Sequence, residues 1–85
     1  MDIEFDPAKD EINRLKHGIS LSRAAEMDML EVKRDERFDY REARFRAWGP
    51  IGGENYCFAF TIRDGRLRAI SLRRAHAKEM RKNAP

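Results

Sequence analysis

Hydrophobic positions along this chain change their period once, near residue 43. Before it, apolar residues recur at spacings of three and four; after it, they alternate. Ala8, Ile12 and Leu15 mark the apolar side of a helix expected from Pro7 to His17, with Asp6 as N-cap, Pro7 at the first helical position and Gly18 just past the end. Lys9, Asn13 and Lys16 fall on a neighbouring face, with His17 at the tip, so one side is expected to pack and the other to offer donors; two lysines on a helix face also suit a plain solvated surface. Ser20 can cap a second helix to about Met29, with Leu21, Ala24, Ala25 and Asp28 along one side. Residues 30–35 read as a short strand, and residues 35–42 as a polar loop.

From Ala43 onward the alternation predicts strands. Gly49-Pro50-Ile51-Gly52-Gly53 reads as the turn between the first two, and Arg63-Asp64-Gly65-Arg66 is a two-residue hairpin signal, because Asp-Gly accepts the positive φ angles of a type I′ turn. That hairpin pairs Ile62 with Leu67 and Phe60 with Ala69. Tyr56, Phe58, Phe60, Ile62 and Leu67 then share one face, and Arg44, Arg46, Trp48 and Arg68 share the other. An arginine-rich sheet face with an aromatic fits RNA, Trp48 serving either to stack on a base or to cover the sheet. Arg73 and Arg74, as neighbours on a strand, point to opposite sides. If the alternation persists, Arg74 shares the side of Arg68, together with Ile70, Leu72 and Cys57. Residues 75–83 have helix-forming composition. The expected fold is α+β: two N-terminal helices packed on a mainly antiparallel twisted sheet, with a short C-terminal helix.

Size and charge narrow the picture. At 85 residues the chain is expected to be one domain, residues 1–85, near the lower size at which a hydrophobic core suffices without staples. A lone cysteine, Cys57, allows no disulfide within the chain and is read as core in a reducing cytoplasm. No apolar run approaches the roughly 20 residues that span a bilayer, and the acidic opening lacks a signal-peptide layout, so no membrane association and a cytoplasmic location are expected. The net charge of +3 is unevenly spread: from Arg63 onward only Asp64 and Glu79 oppose a run of cations, whereas acids outnumber cations before it. Such a field points to a polyanion, nucleic acid being the commonest.

Three stretches, in order, carry a family resemblance. Phe5-Asp6-Pro7-Ala8-Lys9, then Asn13, then Lys16-His17-Gly18-Ile19-Ser20 resembles the opening of the BrnT toxins. Glu42, Arg44 and Phe45 resemble that family's Glu-x-Arg-Phe motif, and Ile70-Ser71-Leu72-Arg73-Arg74-Ala75 its strand-to-helix motif. The resemblance implies the RelE/ParE superfamily of type II toxin-antitoxin systems and a metal-independent endoribonuclease that arrests translation. It also implies a BrnA-like ribbon-helix-helix antitoxin in a 2:2 complex, with promoter DNA reached only through the antitoxin. A gyrase-inhibiting toxin of ParE type and a degenerate toxin kept as operon co-repressor are the alternatives.

Cleavage of that kind needs a base for the 2′-hydroxyl, cations for the phosphorane and an acid for the departing oxygen. Arg44, Arg73 and Arg74 are candidates for phosphate, since arginine forks bind it bidentately. Lys16, His17 and Glu42 are candidates for proton transfer or charge, with Tyr40 and His76 weaker. His17 has the intrinsic pKa nearest neutrality, but a histidine before a helix-ending glycine also suits simple capping. Lys9, Arg46, Trp48 and Arg68 are expected to bind RNA. Neither metal nor cofactor is expected: Cys57, His17 and His76 have no zinc-site spacing, and no phosphate-binding glycine loop is present.

Overall fold

A computed structural model describes residues 2–85. Its elements are β1 (Ile3–Glu4), α1 (Pro7–His17), a 3-10 helix (Leu21–Glu26), β2 (Glu31–Arg34), β3 (Arg44–Ile51), β4 (Glu54–Arg63), β5 (Arg66–Arg74) and α2 (Ala77–Asn83). The strands form one sheet in the order β1-β5-β4-β3-β2, antiparallel except for β1, which runs parallel to β5 at the edge. The fold is thus α+β, with a five-stranded, mostly antiparallel sheet. β1 was not foreseen, because two residues carry no readable period.

The β4–β5 hairpin follows its turn chemistry. Asp64 and Gly65 adopt φ of 54° and 76°, and Ile62 pairs with Leu67 and Phe60 with Ala69. The aromatic face forms the main core, where Phe58 and Leu72 meet Leu21, Ala24 and Met27 from the 3-10 helix and its end. Phe45, Phe60 and Phe58 stack in series, at centroid distances of 5.6 and 5.0 Å. Ile62, near the hairpin tip, stays exposed.

Several expectations fail for physical reasons. The second helix is a 3-10 helix of one six-residue stretch, and its buried positions, Leu21, Ala24 and Met27, recur every three residues, as the 3-10 period requires. Ala25 and Asp28 therefore face solvent. Gly49, Pro50 and Ile51 belong to β3, and only Gly52-Gly53 turns the chain. Gly49 is glycine because a Cβ there would run into the Asp28 carbonyl of the segment hydrogen-bonded alongside β3.

The largest departure concerns α1. Its caps are as expected: Asp6 accepts from the Ala8 amide, and Gly18 takes φ of 73°. Its apolar stripe is not buried: Ile12 is 62% and Leu15 83% exposed, and Ala8 is exposed as well. The buried residue is Asn13. Its Nδ2 donates to the carbonyls of Ile19 and Leu72, both at 2.9 Å, and its Oδ1 accepts from the Leu72 amide at 3.1 Å. The amide thus pairs with the edge of β5 as a further strand would, beyond the point where β1 stops. Polar pairing along an edge, rather than apolar packing, fixes α1 to the sheet.

Candidate active site

The face of the sheet opposite the main core carries the arginines, and register places them in rows. Arg44 pairs with Thr61, and Thr61 with Arg68; Arg46 pairs with Ala59, and Ala59 with Ser71; Trp48 pairs with Cys57, and Cys57 with Arg73. Small side chains down the middle strand leave a floor flanked by guanidinium groups. The last row depends on an irregularity. β5 carries one extra residue, Ile70, between the pairs Phe60–Ala69 and Ala59–Ser71, which reverses the alternation beyond it. Arg73, not Arg74, therefore shares the side of Arg44, Arg46 and Arg68. Arg74 pairs with Tyr56 on the opposite side, 2.7 Å from Glu54, and Leu72 lies fully buried in the main core. The grouping of Arg74 and Leu72 with the arginine face is thereby corrected.

At one end of this face α2 closes a second small core of Trp48, Cys57, Ala75 and Met80. Trp48 is 0% exposed and its indole Nε1 donates to Glu79 at 3.1 Å, so it covers the sheet and is not open to stack on a base. Glu79 accepts from both outer nitrogens of Arg73, at 2.8 and 2.9 Å. That fork holds the Glu79 carboxyl below its ordinary pKa, with the indole bond assisting, while burial pushes the Cys57 thiol up. Arg46 lies with its guanidinium carbon 5.0 Å from the Trp48 ring centroid. Beside it, Lys78 and Lys82 extend the cationic surface along α2.

The α1 side chains meet this face at the β5 edge. Lys9, Ile12, Lys16 and His17 line a cavity of about 180 Å³ with Ile70 and Ser71 of the bulge. Asn13, expected among the solvent-facing donors, is instead the hinge that holds them there. Partial burial, then the nearby charges of Lys16 and Arg73, lower the His17 pKa from its ordinary value. Arg73 lies two residues past Ser71 on the same side of β5.

The other end is built by the loop between β2 and β3. Arg44 donates to Glu42 at 3.1 Å, Arg63 approaches the same carboxylate at 3.6 Å, and the Arg44 guanidinium lies 4.2 Å from the Tyr40 ring centroid. Arg68 lies on the same row, at the β1 edge, 3.5 Å from Glu4. The structure thus gathers Lys16, His17 and Arg73 at one end, puts Glu42 and Arg44 at the other, and turns Arg74 away. Sequence reasoning missed Arg37. Buried Asp35 grips it through Nε and a terminal nitrogen, both at 2.8 Å, which holds the Asp35 carboxyl well below the usual range. Tyr40, which also donates to Asp35, lies against the Arg44 guanidinium, so the loop joins the arginine face there. The readable signal was Asp35-x-Arg37 inside a loop otherwise taken as polar filler.

Among the described residues, no three His, Cys, Asp or Glu side chains are grouped to hold a metal ion, and no helix is long and apolar enough to cross a membrane. No curated protein matches the chain. Residues 5–79 match the family model described as ribonuclease toxin, BrnT, of type II toxin-antitoxin system. The matched span runs from the residue before the α1 cap to Glu79, the carboxylate that clamps Arg73, and so takes in both ends of the arginine face. The chain belongs to the BrnT family, the ribonuclease toxins of type II toxin-antitoxin systems, and so has a cognate antitoxin as its partner.

Proposed function

We propose that this toxin cleaves single-stranded RNA on the arginine face, at the end where α1 meets β5, without a metal ion. The observation that carries this reading is the cavity that Lys16 and His17 share with Ser71 at the β5 edge, two residues before Arg73 on the same face. In this scheme the 2′-oxygen forms a bond to phosphorus and the bond from phosphorus to the 5′-oxygen breaks. His17 takes the 2′ proton, Arg73 stabilises the phosphorane, and the Lys16 ammonium protonates the departing oxygen, leaving a cyclic phosphate and a free 5′-hydroxyl. Glu79 keeps the Arg73 fork in a fixed orientation. Arg46 and Arg68, with Lys9 across the cavity, hold the flanking phosphates. Glu42, held by two arginines, fits the task of placing Arg44 better than that of a base. Arg74, ion-paired to Glu54 on the far side, has no part in this scheme.

The fold is read as RelE-like, and the consequence of cleavage as arrest of translation. The antitoxin is read as a BrnA-like ribbon-helix-helix protein in a 2:2 assembly that alone contacts promoter DNA. The test is incubation of the purified toxin with RNA, with and without a chelator, followed by analysis of the new ends. Cyclic-phosphate ends formed in the presence of chelator, and lost in His17→Ala and Arg73→Ala, are expected. Intact RNA together with inhibited DNA supercoiling would instead identify a gyrase-directed toxin.

A further inference from the structure

The loop between β2 and β3 is more ordered internally than its composition leads one to expect. Asp35, buried, accepts from the Arg37 amide at 3.2 Å, from two Arg37 side-chain nitrogens and from the Tyr40 hydroxyl at 3.0 Å, so one carboxylate staples the loop across five residues. Arg41 takes a left-handed φ of 59°, a strained conformation for a non-glycine residue that persists only where its surroundings impose it. Yet this loop displays Phe38, 68% exposed, edge-on to Tyr40 at 5.8 Å. An apolar ring held out by a rigid loop is prepared for a ligand at little further ordering cost.

Phe38 and Tyr40 line an open cavity of about 470 Å³ together with Asp35, Asp39, Arg41 and Glu42. Its charge is unlike that of the sheet face. Among its lining residues the carboxylates of Asp35, Glu36, Asp39 and Glu42 outnumber the two cations, Arg34, 3.8 Å from Glu36, and Arg41; the exposed Glu36 and Asp39 carboxylates disfavour a phosphodiester but can accept hydrogen bonds from amino groups on a base edge. Arg44, stacked on Tyr40, joins this cavity to the arginine row, where phosphates are favoured. We propose that the cavity is a nucleobase subsite: an unstacked base bearing an exocyclic amino group lies against Phe38, while its phosphates rest on the arginine face. This rests on the reading of that face as an RNA site.

The experiment uses the intact toxin and fluorescein-labelled oligomers of cytidine and uridine, twelve nucleotides long, which differ in the 4-amino group. Affinity is read by anisotropy across a salt series. The parent is expected to favour the cytidine oligomer severalfold. Phe38→Ala should weaken its binding about tenfold with no change in salt slope, because stacking releases no counterions. Phe38→Tyr should restore it, and Phe38→Leu, apolar but without a π face, should not. Arg46→Ala should instead lower the slope by about 0.7. Equal affinity for the two oligomers, unimpaired binding by Phe38→Ala, or rescue by leucine would overturn the subsite while leaving the RNA reading intact if Arg46→Ala behaves as stated. Failure of the parent to bind either oligomer would overturn both. If Phe38→Ala loses only the antitoxin, the ring belongs to the partner's docking surface and the subsite is refuted.

Discussion

Asn13→Ala is the most informative single substitution, because it tests whether one amide fastens α1 to the sheet. Its side chain makes three buried hydrogen bonds, to the Ile19 carbonyl and to both backbone groups of Leu72. At a net value of about 1 kcal/mol each, their loss costs about 3 kcal/mol, and the stranded Leu72 groups add to it where water cannot reach them. Alanine's better helix propensity returns roughly 0.6 kcal/mol, leaving a destabilisation of about 2.5 kcal/mol or more. For a domain of this size that corresponds to a fall in Tm of about 10–20 °C, read by circular dichroism, with a matching drop in the urea midpoint. Asn13→Asp sharpens the test. It keeps an acceptor for the Leu72 amide but turns a second oxygen toward two carbonyls, so it should be no better than alanine. A fall of less than about 4 °C for both variants would refute the claim that this residue anchors the helix. Ribonuclease activity, measured where the variant is still folded, should fall as well, since Lys16 and His17 reach the arginine face only through α1.

Three further outcomes follow from the geometry. Arg73→Lys should cut RNA cleavage at least about tenfold, roughly 1.4 kcal/mol of transition-state stabilisation, whereas Arg74→Lys should leave it within about twofold; the reverse order would show that the bulge at Ile70 does not set the site. Asp35, with its pKa depressed chiefly by Arg37, binds more protons unfolded than folded, so its contribution is complete above the unfolded value of about 4 and is lost as pH falls below that toward the folded value; Asp35→Asn should flatten the acid limb of the stability curve, and an unchanged limb would count against the staple. Truncation after His76 should expose Trp48 and Cys57, shift tryptophan emission to longer wavelength and lower solubility, and an unshifted spectrum would show that α2 does not cover them.

Much of this architecture is local chemistry and could be read directly. The limits of α1 follow from Asp6, Pro7 and Gly18, because caps and positive φ are decided within a few residues. The hairpin register follows from Asp64-Gly65, since a two-residue turn leaves one way to pair the strands. The arginine face follows in turn for Arg44, Arg46 and Arg68, whose positions depend only on period two. Family membership is equally a property of the residue order.

Tertiary structure decided what depends on residues far apart in the chain. Which side of α1 is buried was settled by Leu72, 59 positions away, whose unpaired edge needed an amide more than the core needed Ile12 and Leu15. Which of Arg73 and Arg74 meets the arginine face was settled by a single unpaired residue, Ile70, because alternation carries no record of a bulge until the neighbouring strand is in place. Trp48 was removed from the surface by Glu79 and Met80 of a helix 29 residues further on, α2 at Ala77–Asn83 counted from β3 at Trp48. Short-range rules assign a conformation and a parity to each segment. Only the partners across the sheet decide which parity is buried, and here that choice placed Arg73 on the face of Arg44, Arg46 and Arg68.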